Sequence, residues 1–167
     1  MGDDVVITTY DQARFKLDAD VRRCWAIRGS QPIVYKNGSK IAINVGGAYT
    51  STNEFHFYKM KYQTKEEVLW NIKLLKMKHP NMLLLLDKAT WNKNKMVIGY
   101  LERNNLPYMF YPTGASDLNA AEECWKQTRE NVTANKSHNS EKQLYENLVS
   151  YWGKNPFKHK LLNYLSL

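Results

Sequence analysis

The sequence predicts a mixed α/β fold, and three stretches carry that prediction. Met82-Leu83-Leu84-Leu85-Leu86 is a short apolar run suited to a fully buried strand, and it ends on Asp87. Thr64 with Glu67 reads as a capping box, and Val68, Ile72 and Leu75 then recur at helical spacing until His79-Pro80 stops the helix. Tyr111-Pro112 to Trp125 reads as an extended segment, a turn and a helix with a carboxylate in its first or second turn. An aspartate at the carboxyl end of a buried strand sits where open α/β sheets place ligands and chemistry.

The remaining elements follow in chain order. Val5 to Tyr10 reads as a first strand ending in Asp11, and Lys40 to Val45 and Glu54 to Met60 read as two more. Gly46-Gly47 and Thr50 to Asn53 supply the turns of an antiparallel meander. The central strand, Asn81 to Asp87, comes after the first helix. Lys93 to Asn105 reads as a helix with Met96, Tyr100 and Leu101 inward, followed by a strand from Pro107 to Tyr111. Ser116 is the expected cap of the next helix, whose Ala121, Cys124, Trp125 and Thr128 share a face. After a polar break at Asn135 to Ser140, Lys142 to Tyr151 reads as a last helix, and the tail packs back through Leu161, Leu162, Tyr164 and Leu165.

Four motifs in order resemble the catalytic domain of the DDE transposases of the mariner-like superfamily, including its bacterial and archaeal insertion-sequence branch. Tyr10-Asp11-Gln12-Ala13-Arg14-Phe15 and then Arg23-Cys24-Trp25-Ala26-Ile27-Arg28-Gly29 resemble that family's Asp-Glu strand end and its Trp-Ala-x-x-Gly sequel. Asp87-Lys88-Ala89-Thr90-Trp91-Asn92-Lys93 resembles its Asp-Asn-Ala-x-x-His stretch. Tyr111-Pro112 through Leu118-Asn119-Ala120-Ala121-Glu122 resembles its Leu-Asn-Pro-x-Glu run, with Trp125 three residues later. Between Asp87 and Glu122 lie 34 residues, the interval that this family uses. The resemblance covers roughly Val5 to Trp152. It implies an α/β ribonuclease H-like fold, a mixed five-stranded sheet with flanking helices, formed by one domain over residues 1–167.

The resemblance also implies a transposase catalytic domain: a metal-dependent DNA endonuclease that nicks transposon ends and then transfers the strand. Asp11, Asp87 and Glu122 are the implied catalytic residues and metal ligands for two Mg2+ (or Mn2+) ions, Asp11 touching both and the other acids holding one each. Hard oxygen ligands suit such ions, and a two-ion site suits in-line phosphodiester displacement. The implied partners are DNA, both transposon ends and target, and a second copy in a homodimeric working complex. The first strand begins so near Met1 that the amino-terminal helix-turn-helix module of such enzymes is expected to be absent, and end recognition to come from a separate helix-turn-helix polypeptide. Gln12, Lys88, Asn92 and Ala120 depart from the family's residues without removing an acid. Period-two alternation turns Lys88 away from the side that Asp87 faces. A catalytically silent, repurposed transposase-derived DNA-binding or interaction domain is the competing reading, and a ribonuclease H-like nuclease acting on RNA or branched DNA is a third.

Composition agrees with these classes. The 167 residues carry 24 Lys and Arg against 16 Asp and Glu, a formal charge of +8 that favours a polyanionic partner. The run Trp91-Asn92-Lys93-Asn94-Lys95 is read either as a DNA-backbone contact or as the polar start of a helix. Cys24 and Cys124 form no CxxC pair, and no stretch approaches the roughly 18 apolar residues of a membrane helix, so a cytoplasmic, soluble protein is expected, with no membrane partner. His56, His79, His138 and His159 follow no metal-ligand spacing and are expected to be ordinary surface or partly buried residues. Trp25, Trp70, Trp91, Trp125 and Trp152 are candidates for the core, Trp91 also for stacking on an unpaired base.

Overall fold

A computed structural model describes residues 5–165. The elements run β1 (Val6–Lys16), β2 (Ala42–Thr50), β3 (Phe55–Met60), α1 (Lys65–Lys78), β4 (Met82–Leu86), α2 (Lys95–Arg103), β5 (Tyr108–Phe110), α3 (Ala120–Thr128) and α4 (Glu141–Gly153). The five strands form one mixed sheet in the order β3-β2-β1-β4-β5. β2 and β3 are antiparallel, whereas β4 runs parallel to both β1 and β5. No helix among the described residues is long and apolar enough to cross a membrane.

The described residues form two compact units, the first comprising residues 5–13, 44–124 and 157–165. Its core joins one sheet face to α1 and α2: Tyr10, Met60, Met82, Leu84 and Leu86 meet Val68, Ile72, Leu75, Val97 and Leu101. The first helix begins and ends where its sequence directs. Thr64 accepts the Glu67 amide at 3.4 Å, and the His79 amide closes the last turn on the Leu75 carbonyl at 2.8 Å. The Glu67 carboxylate, however, accepts the Lys61 amide at 3.2 Å instead of completing the box. In the tail, the Tyr49 hydroxyl donates to the His159 carbonyl at 2.5 Å, and Phe157 and Leu161 are buried. Leu162 is exposed, contrary to expectation, whereas Tyr164 and Leu165 are half-buried, and the tail beyond Leu165 lies outside the described residues.

The second unit, Arg14–Ile43 with Trp125–Pro156, packs around an aromatic cluster. Phe15 lies 6.0 Å from both Trp125 and Trp152, centroid to centroid and edge to face, an arrangement favoured by the ring quadrupoles. The Trp152 indole donates to Thr128 Oγ1 at 3.0 Å, so its burial leaves no polar group unsatisfied. Trp25 and Trp70, read from sequence as core, are exposed, Trp25 in an irregular segment between β1 and β2.

Several boundaries move for identifiable reasons. The first strand continues past Asp11 to Lys16 because the alternation persists, with Ala13 and Phe15 buried and Arg14 and Lys16 exposed. Gly46 and Gly47 are not a turn: they lie within β2, opposite Tyr58 and Phe57. A Cβ at Gly46 would collide with Asn71 Nδ2 and stand 2.6 Å from the Tyr10 hydroxyl, so close approach, not chain reversal, explains this glycine. In α2, Val97 and Leu101 are inward, whereas Met96 is exposed. Its cap is Asn94, whose side chain accepts the Met96 amide at 3.0 Å, which resolves the polar run at Trp91 to Lys95 partly in favour of a helix start.

Candidate active site

Register brings the first two acids together. The parallel pairing of β1 with β4 ends at Tyr10 opposite Leu86, so Asp11 and Asp87 occupy the next positions on neighbouring strands, which lie about 4.8 Å apart in a sheet. Alternation puts Tyr10, Leu84 and Leu86 on the α1 and α2 face, and Asp11 on the other. Asp11 is buried, Asp87 half-buried and Glu122 exposed.

Each acid is held differently. The two carboxylate oxygens of Asp11 accept the Gln12 amide at 2.8 Å and the Asn119 side-chain amide at 3.2 Å. Oδ1 of Asp87 accepts the Ala89 amide at 3.1 Å and Asn92 Nδ2 at 2.5 Å, while Oδ2 accepts no hydrogen bond from the described residues. Glu122 stands in the first turn of α3 with its amide bonded to the Asn119 carbonyl at 3.0 Å. A carboxylate there benefits from the positive end of the helix dipole.

Asn119, quoted from the sequence only as part of a motif, is the connecting residue. Its Oδ1 accepts the Thr9 hydroxyl at 2.7 Å and the Ala121 amide at 3.1 Å, while its Nδ2 faces Asp11. It therefore caps α3 in place of Ser116, which instead opens a single 3-10 turn over Ser116–Leu118. The Tyr111 hydroxyl extends the chain of bonds to Thr9 at 2.9 Å. Burial, with the Asp11 charge adding to it, pushes the Tyr111 phenol up to about 12, so it stays a donor at neutral pH. Asn92 is a second supporting residue that motif comparison lists only as a departure: it is buried and orients the Asp87 carboxylate.

Asp87, Asn119 and Glu122 border one cavity of about 260 Å3, together with Lys88, Tyr111 and the Pro112 to Ser116 turn. Lys88 thus lies on the same cavity as Asp87, with Nζ donating to Thr113 Oγ1 at 3.2 Å. Alternation failed to predict this because β4 ends at Leu86 and Lys88 is no longer in a strand. The three carboxylates do not all close to within 4.8 Å of one another, whereas Glu54, His56 and His79 do, which sequence spacing did not anticipate. Trp91 is half-buried and packs against the main core.

The second unit holds a larger cavity, of about 700 Å3, bordered by Arg14, Lys16, Lys36, Lys40 and Arg129, with Asp18 and Asp20.

The family profile described as DDE superfamily endonuclease matches residues 6–145. A search of the curated proteins by sequence finds no match. Among solved structures, the pre-cleavage Mos1 transpososome superposes with a TM-score of 0.70 at 11% identity, over 95% of this chain and 51% of that one. The Mos1 transposase catalytic domain with Raltegravir and Mn matches with a TM-score of 0.64 at 12% identity, over 95% of this chain and 74% of that one. The catalytic core of BIV integrase matches with a TM-score of 0.56 at 12% identity, over 96% and 93%. The chain thus spans about half the length of the Mos1 chain in the transpososome and shares its ribonuclease H-like fold. With that fold, and with a family match over most of its length, this chain belongs to the DDE superfamily of endonucleases.

Proposed function

We propose that this chain is the catalytic domain of a transposase of the mariner-like insertion-sequence type, cutting DNA at transposon ends and joining the freed strand to target DNA. The observation that carries the reading is the placement of Asp11 and Asp87 one step beyond the last paired positions of neighbouring strands, with Asn119 tying Asp11 to the helix that bears Glu122. The donor set suits hard divalent cations: three carboxylates, with Oδ2 of Asp87 unpaired among the described residues. Paired-end complexes of Mos1 with Mn and with Mg support the same class of ion. Two such ions, when bound, neutralise the phosphate, sharpen the attacking hydroxyl and stabilise the leaving oxygen.

The chain's own residues do the positioning. Asp11, held by Asn119 and the Gln12 amide, would serve both ions, and Asp87 and Glu122 would each hold one. With the outer two acids on different ions, the three would not need to meet at one point. Asn92 fixes the Asp87 rotamer, and Lys88 sets a cation at the rim of the cavity, where an incoming phosphate would arrive. The basic cavity of the second unit supplies contacts to DNA backbone. Sequence-specific reading of the ends comes from a helix-turn-helix module outside these residues, and a homodimer brings two ends together.

The test is nicking and joining of labelled duplex DNA with Mg2+ or Mn2+, for the chain alone and with an end-binding module supplied. Asp11→Asn and Asp87→Asn should each abolish product while leaving the circular dichroism spectrum unchanged. Full activity in either variant would remove the assignment. Cleavage of RNA or of hybrid duplexes in preference to DNA would favour the ribonuclease H-like reading.

A further inference from the structure

Away from the acids, at the edge of the sheet, three ligating side chains converge. His56 and His79 approach each other at 2.8 Å between their Nε2 atoms, and each Nε2 stands 3.4 Å from Glu54 Oε2. We propose that Glu54, His56 and His79 form a binding site for a transition-metal ion of the zinc class, clipping the edge strand β3 to the end of α1. This proposal does not rest on the reading of the acids, and its test measures metal binding, not cleavage.

Geometry supports it first. An ion bound tetrahedrally at about 2.0–2.2 Å from N and O ligands holds its donors roughly 3.3–3.5 Å apart. Both carboxylate-to-imidazole separations already have that value, and only the imidazole pair must open, by about half an ångström, as its hydrogen bond gives way to the ion. The backbone under each ligand is fixed. His56 pairs with Ala48 in the β2–β3 ladder. His79 terminates α1 with its amide on Leu75 at 2.8 Å, and Glu54 exchanges hydrogen bonds with Thr50 across the hairpin turn. The two imidazoles are nearly covered, at 13% and 12% exposure, while Glu54 is open at 54%, which leaves one side for water as a fourth ligand.

Ligand chemistry then selects the ion. Two imidazoles and one carboxylate suit Zn2+, Co2+, Ni2+ or Cu2+, whereas Mg2+ prefers oxygen alone. The site is also separate from the acids: His79 precedes β4 and Asp87 follows it, with about 16 Å of strand between them. Lys78 tunes it. Its ammonium lies 3.4 Å from His56 Nδ1 and can only donate, which puts the proton of neutral His56 on Nε2. Ion binding at Nε2 shifts that proton to Nδ1 and turns Lys78 away, so Lys78 weakens the site.

The experiment titrates tag-free, metal-stripped protein with Co2+. The expected result is one ion per chain with the visible absorption of four-coordinate cobalt, displaced by Zn2+ and not by Mg2+, and a higher melting temperature with Zn2+. His56→Gln and His79→Gln should each weaken binding at least about tenfold, the lower bound even for loss of an outer partner. Lys78→Gln should tighten it, and Asp87→Asn should leave it unchanged. In the wild-type chain Zn2+ should shift the ring nitrogen resonances of both histidines, a reading that needs no variant. Unshifted resonances, absent cobalt absorption, binding that survives both histidine substitutions, or binding lost on Asp87→Asn would each overturn the proposal.

Discussion

Glu122 and Glu123 are adjacent on one helix, and directions there differ by about 100° per residue, so only one can face the cavity that Asp87 borders. That residue is Glu122, exposed in the first turn of α3, with 34 residues between it and Asp87. Glu122→Gln should abolish metal-dependent nicking with the fold intact, and Glu123→Gln should change it less than about threefold, a difference of under 1 kcal/mol in barrier. Single-turnover cleavage assays read both. Asn119 makes a different claim. It bonds Thr9, the Ala121 amide and Asp11 at once, so Asn119→Ala removes a buried hydrogen bond from each and a helix cap. We expect a stability loss of about 1–3 kcal/mol in urea unfolding, with cleavage reduced beyond what that loss explains, because Asp11 loses the side-chain donor on its Oδ2.

Elements here were easiest to read where a period ran uninterrupted. The α1 face of Val68, Ile72 and Leu75, and its stop at His79, are where the spacing put them. The sequence misled where glycine had two meanings. A Gly-Gly pair usually marks a turn, yet Gly46 serves a strand because Asn71 and the Tyr10 hydroxyl, themselves hydrogen-bonded at 2.9 Å, fill the place of its side chain. Gly46→Val should therefore destabilise the protein by about 1–3 kcal/mol through overpacking, and by more if the Asn71–Tyr10 bond breaks. A shift of the urea midpoint at unchanged slope would show it; no shift would mean that the β2 and α1 packing relaxes freely.

Across the whole molecule, the charge of +8 is a statement about partners rather than about fold. Five basic residues border the cavity of the second unit, so DNA affinity should fall steeply with salt, the logarithmic slope changing by about 0.9 for each phosphate neutralised. Lys16→Gln combined with Lys40→Gln should flatten that slope by about 2, equally for any duplex sequence. Fluorescence anisotropy at several salt concentrations measures it. A slope unaffected by these substitutions would place DNA elsewhere.

The sequence by itself determined the order of strands and helices, the family, and the three acids nominated for catalysis, because each is written locally: an apolar run ended by Asp87, a capped helix, a fixed interval to Glu122. What it did not determine are the partners of those residues. Asn119 on Asp11, Asn92 on Asp87, Lys88 on the same cavity, and the meeting of His56 with His79 depend on which side chains point at each other once strands have chosen a register and helices an angle. Contacts between residues 23 or 108 positions apart leave no periodic trace in one sequence, since either residue alone fits its own element equally well without the other. Tertiary packing decides them because only there does an unpaired buried polar atom carry an energetic cost that selects one arrangement.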